Sequence, residues 1–116
     1  MIKSIGMTMV ALMLLAVAGC GPTGPDIPGQ PTGLTVTSTS PVTLSWNAVP
    51  DVDSYNLYRG TVSGGIAAKT LLVSNIAVAT CADTSTVSGT TYYYQVTSVN
   101  SLGESAPSDE ASVAAR

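Results

Sequence analysis

Hydrophobic and polar residues alternate most regularly between positions 89 and 100 of this chain. Aromatic and β-branched residues dominate the stretch, and strands favour these residue types. Because successive side chains of a strand point to opposite faces, every second residue shares a side. One face would carry Thr90, Tyr92, Tyr94, Val96 and Ser98. The pattern predicts a long strand around which the rest of the chain is organised.

Six further short segments carry the same alternation, and turn residues separate them. They cover positions 31–37, 41–47, 54–59, 68–74, 79–83 and 110–115. In the second segment Val42, Leu44 and Trp46 share a face, and Trp46 is the only tryptophan. We therefore expect Trp46 at the centre of the core, where a large apolar surface contributes most. Seven short strands predict an all-β sandwich.

The first 19 residues have a different pattern, with Lys3 as their only charge and an uncharged, largely apolar run from 5 to 18. That run is shorter than the roughly 20 residues that a membrane-spanning helix needs, and it has the length of a signal-peptide core. It ends in Val17, Ala18, Gly19 and Cys20. These four residues resemble the lipobox of bacterial lipoproteins.

The lipobox resemblance implies that Val17, Ala18 and Gly19 are recognised by the signal peptidase and that the Cys20 thiolate receives a diacylglycerol. Cleavage before Cys20 frees its amine for a further acyl chain, and two or more chains anchor a protein stably. Gly21 is compatible with transport to an outer membrane, if the organism has one. The alternatives are an ordinary signal peptide with an incidental cysteine, or an uncleaved N-terminal helix.

Residues 21–30 contain three prolines and three glycines, a composition that disfavours helices and central strands. Fully extended, they reach roughly 30 Å, which suits a spacer between lipid and domain. The predicted organisation is a signal peptide at 1–19, a lipidated cysteine and tether at 20–30, and one domain at 31–116.

Residues 31–116 resemble a fibronectin type III domain, an immunoglobulin-like sandwich of seven strands. The matching residues are Pro31 and Leu34, Leu44 and Trp46, Tyr55, Leu57 and Arg59, the 80–83 segment, Gly89 to Tyr92, Asn100, and Gly103 to Ser105. The resemblance implies that the Tyr92 hydroxyl bonds to backbone in the 84–89 loop as a tyrosine corner. Two departures are the small Cys81 at an inward position and the lack of a proline before Gly89.

The residues speak against catalysis, and we expect neither an enzyme nor a cofactor. The chain has no histidine, so its serines and threonines lack the commonest general base. Cys81 is expected to be a buried and inert thiol. Asp51, Asp53 and Glu104 would gather at one end of the sandwich and Asp83 at the other. A weak calcium site at the first end is conceivable, but solvated turn carboxylates are favoured, so no metal is expected.

The charge distribution excludes nucleic acid as a partner, because phosphate binding needs clustered lysines and arginines. The net charge is −3, and removal of residues 1–19 takes away Lys3, which leaves three basic and seven acidic side chains, or −4. Tyr58 and Tyr93 are predicted to point outward from one sheet and could form a recognition patch. The alternative is that they are isolated surface aromatics without a role.

The predicted function is a monomeric, lipid-anchored lipoprotein of the bacterial cell envelope that presents one fibronectin type III domain to a protein or polysaccharide. A purely structural spacer and an accessory to a secreted polysaccharide-degrading enzyme are the alternatives. Because the loops of such a sandwich alternate between two ends, the tether is expected to enter beside the turns around residues 51 and 103. The 60–65 loop and the C-terminus would then face away from the membrane.

Overall fold

The computed structural model of the protein describes residues 27–116, which form two β-sheets packed against each other. The predicted signal peptide, the lipobox residues Val17 to Cys20 and most of the tether lie outside these residues. The strands are β1 (Thr35–Thr39), β2 (Val42–Ser45), β3 (Ser54–Gly60), β4 (Thr70–Ile76), β5 (Thr80–Asp83), β6 (Thr91–Asn100), β7 (Gly103–Glu104) and β8 (Ala111–Ala114). A 3-10 turn, Ile66–Ala68, precedes β4.

One sheet has the order β1-β2-β5, and the other has the order β4-β3-β6-β7. The last strand, β8, also pairs directly with β6. All pairings are antiparallel. The predicted all-β sandwich is therefore confirmed. The long strand β6 lies at the centre of the larger sheet, between β3 on one side and β7 and β8 on the other.

Residues 27–116 contain one strand more than the seven predicted, because the last predicted turn and strand pair with β6 in two pieces. β7 pairs with the end of β6 and β8 with its beginning. Between them, the Ser105 and Ser108 amides donate to the Ser98 and Val96 carbonyls, at 2.8 Å each. Pro107 lies in this stretch and has no amide hydrogen to continue a regular ladder.

The hydroxyls of Ser105 and Ser108 replace the missing ladder bonds. Their Oγ atoms accept hydrogen bonds from the amides of Ser98 and Val96 at 3.0 Å. Because these buried amides of β6 would otherwise lack partners, the two serines allow the regular pairing to be interrupted without leaving polar groups unsatisfied.

The core lies between the sheets and contains Val42, Leu44, Trp46, Tyr55, Leu57, Ile76, Tyr92, Tyr94, Val96 and Ala115. Trp46 is 6% exposed and meets the edge of Tyr55 with ring centroids 5.3 Å apart. The predicted central position of Trp46 is confirmed. The tyrosine corner is confirmed too, because the Tyr92 hydroxyl accepts a hydrogen bond from the Val87 amide at 2.9 Å.

One expectation about a single residue needs correction. Cys81 is only half-buried, because β5 is the edge strand of the smaller sheet and no further strand covers it. Asp83 ends the same strand on the inner face, is 2% exposed, and bonds to Arg59, Ser85 and Tyr94.

Candidate functional site

The predicted tyrosine pair lies on the outer face of the larger sheet. Tyr55 and Leu57 of β3 are in the core, so Tyr58 points the other way, and the same alternation turns Tyr93 of β6 outward. In the register of the two strands, Tyr93 is opposite Gly60, and Tyr58 is opposite Gln95. The tyrosines are therefore diagonal neighbours. Both are half-buried rather than fully exposed.

Glu104 holds Tyr58 in place from the short strand β7. Its Oε2 accepts hydrogen bonds from the Tyr58 hydroxyl, from Thr97 Oγ1 at 2.5 Å and from Asn56 Nδ2 at 3.2 Å. Asn56 and Thr97 face each other across β3 and β6, beside Tyr58. The ring of Tyr58 is thus fixed on a polar platform that extends over three strands. We call Asn56, Tyr58, Tyr93, Gln95, Thr97 and Glu104 the tyrosine face.

The hydrogen bonds around Glu104 decide its charge state. Partial burial acts to raise the pKa of Glu104, but the bonds from Thr97, Tyr58 and Asn56 outweigh it, so the pKa lies below its ordinary value. The pKa of Tyr58 is raised, first by burial and then by its bond to the Glu104 carboxylate. At neutral pH the face therefore presents an ionised acceptor beside a protonated phenol.

Replacement of Glu104 by glutamine is expected to lower the pKa of Tyr58 while leaving it above the ordinary value. The charge and the accepted hydrogen bond are lost, but the burial of the phenol remains. A pH titration of the tyrosine ring carbons by NMR measures this shift. Glu110→Gln, a matched change on a carboxylate that bonds to Lys69 instead, should leave the Tyr58 titration where it is. An unchanged titration in Glu104→Gln would contradict the assigned bond.

Gln95 adds a buried amide to the face. Its side chain is opposite Tyr58 and is 7% exposed, and its Nε2 donates to the Ser108 carbonyl at 2.7 Å. Its Oε1 is buried and has no partner among the described residues. A buried carbonyl without a donor is costly, so this oxygen reduces the stability gained from burying the Gln95 side chain.

The sequence indicated only the two tyrosines of this face. The alternation of β6 placed Gln95 and Thr97 on the same side as Tyr93, and that signal could have found them. No local signal indicated Glu104, because it reaches Tyr58 across 46 positions of the chain.

The carboxylates considered for calcium do not form a site in residues 27–116, where no group of three or more acidic, cysteine or histidine side chains could hold a metal ion. Glu104 is committed to the tyrosine face. Asp51 has a φ of 61° and shapes its own turn, while the Asp53 amide donates to the Val99 carbonyl at 2.8 Å.

A second polar cluster lies at the opposite end of the sandwich, around Asp83. Arg59 Nη1 lies 2.9 Å from Asp83 Oδ2, and its guanidinium is also 4.8 Å from the centre of the Tyr92 ring. Burial raises the pKa of the Cys81 thiol, and the charge of Asp83 raises it further, so the thiol stays protonated. A protonated thiol is a poor nucleophile. The hydrogen bonds of the Asp83 cluster instead hold neighbouring strands together.

No helix within residues 27–116 is long and apolar enough to cross a membrane.

No family model matches the chain. A crystal structure of an Fn3-like protein from Clostridium thermocellum is 34% identical and superposes with a TM-score of 0.63 over 81% of this chain and 96% of that one. An amylopullulanase of Thermoanaerobacter thermohydrosulfuricus is 43% identical over 76 residues, which are 65% of this chain and 5% of that enzyme. A poly(3-hydroxybutyrate) depolymerase of Ralstonia pickettii is 41% identical over 98 residues, or 82% of this chain. The chain spans 17% of that depolymerase.

Proposed function

The chain belongs to the fibronectin type III family, and from this premise we propose that it is a non-catalytic accessory module. In this proposal a lipid on Cys20 holds the module at the bacterial cell envelope, and its tyrosine face binds a neutral polysaccharide. The observation that supports the proposal most is the pair of diagonal tyrosines beside an ionised carboxylate on one open sheet face.

The chemistry of the tyrosine face suits a sugar chain. Tyrosine rings offer flat apolar surfaces for the C–H faces of sugar rings, and their hydroxyls remain polar. Sugar hydroxyls are donors, and the ionised Glu104 carboxylate is an acceptor for them. The similarity to segments of amylopullulanases and of a depolymerase, whose names refer to polymers, supports an accessory role beside enzymes of that kind.

The charges favour a neutral polymer over an acidic one. Residues 27–116 contain three cationic side chains, and none of them belongs to the tyrosine face. Arg59 bonds to the buried Asp83, Lys69 is itself buried against Glu110, and Arg116 is next to β1. An anionic polysaccharide would meet Glu104 without a compensating cation, and that contact is repulsive.

Binding to pullulan is expected, and the double variant Tyr58→Ala/Tyr93→Ala should weaken it about tenfold, or about 1.4 kcal/mol, because both flat apolar ring contacts are lost. Retardation in native gels that contain pullulan measures the affinity. The matched control is Thr35→Ala/Thr37→Ala, which alters exposed positions on the smaller sheet. Polygalacturonate serves as the acidic comparison and should retard none of the three proteins.

Three results would contradict the proposal that the tyrosine face binds a neutral polysaccharide. Equal retardation of the double tyrosine variant and the parent would place the binding elsewhere. Binding to poly(3-hydroxybutyrate) granules but not to pullulan would indicate a polyester partner. No retardation by any polymer, with the variants still folded by circular dichroism, would favour the structural spacer.

The anchor is tested separately by intact mass and detergent partitioning of the full chain made in a bacterial host. The parent is expected to begin at Cys20, to carry the mass of acyl chains and to enter the detergent phase, since two or more chains anchor stably. Cys20→Ser should lack the added mass and stay in the aqueous phase. A parent of unmodified mass in the aqueous phase would reject the anchor while leaving the sugar-binding proposal open.

A further inference from the structure

We propose that one end of the sandwich, bearing Ile27, Val78 and Leu102, lies directly on the lipid surface. We call these three side chains, with Asp51 and Asp53, the anchored pole. The inference rests on the proposed lipid at Cys20 and goes beyond it, because an anchor alone leaves the orientation of the domain open.

The chain that leads from the anchor is bound to the sandwich before β1 begins. The Gly29 carbonyl accepts a hydrogen bond from Ser98 Oγ at 2.5 Å, and Gln30 Nε2 donates to the Pro107 carbonyl at 2.6 Å. Pro31 is fully buried. The chain is therefore fixed to the end of β6 from residue 29 onward, and this portion of the predicted tether does not act as a free spacer.

The remaining distance to the anchor is short. Six residues, 21–26, separate Cys20 from Ile27, and seven extended steps reach at most about 25 Å. The sandwich therefore cannot leave the neighbourhood of the lipid headgroups. With the exit point at the anchored pole, this end is the one held nearest to the membrane.

Apolar side chains from three segments are exposed at this end. Ile27 is 55% exposed and Leu102 is 51% exposed. Ile27 Cγ2 lies 3.2 Å from the position that a Cβ on Gly103 would occupy, so Ile27 rests on the turn that carries Leu102. Val78, 60% exposed, follows β4, whose last residue pairs with Tyr55 near the start of β3. The turn before β3 reaches the same end through the bond from the Asp53 amide to Val99.

A weak contact is sufficient here. A covalent anchor turns the contact into an intramolecular event with an effective concentration in the mM range, so a few apolar side chains can keep the pole at the surface. The strands of the larger sheet run from this end to the other, so the tyrosine face stands along the side of the sandwich and stays open.

The charges at the anchored pole specify the lipid. Asp51 and Asp53 are both exposed at this end. Because carboxylates are repelled by anionic headgroups, the contact should be strongest on a zwitterionic surface, and anionic lipid should weaken it at low ionic strength.

The test places a reporter at each end of the full, lipid-bearing protein in vesicles of brominated phosphatidylcholine. Leu102→Trp reports on the anchored pole, and Val87→Trp is the matched control. Val87 is an apolar position in the loop after β5 at the other end, and it is 64% exposed against 51% for Leu102. Trp46 is a constant buried background in both. The fraction of added fluorescence that is quenched is expected to be at least about twofold larger for Leu102→Trp, because only this residue reaches the acyl region.

Equal quenching at both positions, or stronger quenching of Val87→Trp, would overturn the proposal. Addition of phosphatidylglycerol at low salt should reduce the quenching of Leu102→Trp, and salt should restore it. An increase in quenching with anionic lipid would contradict the role assigned to Asp51 and Asp53.

The proposal is testable even if the cell does not attach a lipid. Where the mass of the secreted chain shows a free Cys20, a maleimide phospholipid is coupled to that thiol in a Cys81→Ala background, and the same quenching is measured. The lipoprotein assignment would then have failed, while the orientation of the anchored pole would still be decided by the two tryptophan positions.

Discussion

Replacement of Asp83 by alanine is expected to lower the free energy of unfolding by about 3 kcal/mol, at the lower end of the cost of breaking a buried ion pair. Asp83 is 2% exposed and accepts bonds from Arg59 at 2.9 Å and from the Tyr94 hydroxyl at 2.7 Å. Its loss leaves a buried phenol without a partner. The Arg59 side chain is 24% exposed and regains some hydration, which limits the cost.

Urea denaturation followed by circular dichroism measures this loss. Asp109→Ala, which removes an exposed carboxylate of the same chain, should change the stability by less than about 0.5 kcal/mol. In a double-mutant cycle, Asp83→Ala and Tyr94→Phe should each cost less in the presence of the other, because they remove one shared bond. Additive effects would show that Asp83 and Tyr94 are not coupled.

The contribution of Asp83 is also expected to depend on pH. Burial acts to raise the pKa of this carboxyl, but the bonds from Tyr94, Ser85 and Arg59 outweigh it and bring the pKa below the ordinary value of 3.8. A depressed pKa in the folded state means stability that is complete above the ordinary value and is lost as the pH falls through the folded value. The stability difference between the parent and Asp83→Asn should therefore be constant near neutrality and shrink below pH 3.8. A difference that grows in acid would reverse the assignment.

Replacement of Trp46 by alanine is expected to have the other large effect, a loss of about 4 kcal/mol. Trp46 fills the centre of the core against Tyr55, and a methyl group in its place leaves a cavity that the two sheets cannot close. Val62→Ala, at a site that is 58% exposed, should cost less than about 0.5 kcal/mol. Because Trp46 is the only tryptophan, its replacement removes the tryptophan fluorescence signal, and unfolding is followed by circular dichroism instead.

A second substitution at the same site separates volume from polarity. The Trp46 Nε1 group is buried and has no hydrogen-bond partner among the described residues. Trp46→Phe removes that unpaired donor together with part of the ring, and the two effects oppose each other, so the loss should be only about 1 kcal/mol. A cost equal to that of Trp46→Ala would mean that the indole nitrogen is not an unfavourable group.

The two polar clusters have different tasks in this small sandwich. The Asp83 cluster closes one end and joins β3, β5 and β6 through buried bonds. The Glu104 cluster lies on the outside of the larger sheet and orients a tyrosine that the core does not need. A half-buried ring that is already fixed loses little freedom when it binds a ligand, which suits the proposed contact with a sugar chain.

Much of the fold could be predicted from the sequence because every second residue of a sandwich strand faces the core and is therefore apolar. Alternation alone placed Trp46 in the core and Tyr58 and Tyr93 outside. The resemblance of the segment around Gly89 and Tyr92 to a tyrosine corner correctly identified the Tyr92 bond. These are local features, set by the neighbours of each residue along the chain.

Only the tertiary structure determined which side chains form hydrogen bonds across long distances in the sequence. Arg59 and Asp83 are 24 residues apart, and Tyr58 and Glu104 are 46 apart. The hydrogen bonds that keep both carboxylates ionised therefore could not be predicted from the alternation of residues. Gly29 and Ser98 are 69 positions apart, so the hydrogen bond that holds the end of the predicted tether on the sandwich could not be predicted from the sequence either. Periodicity determines to which face of a strand a side chain points, but only the approach of distant segments in space determines which residues it contacts.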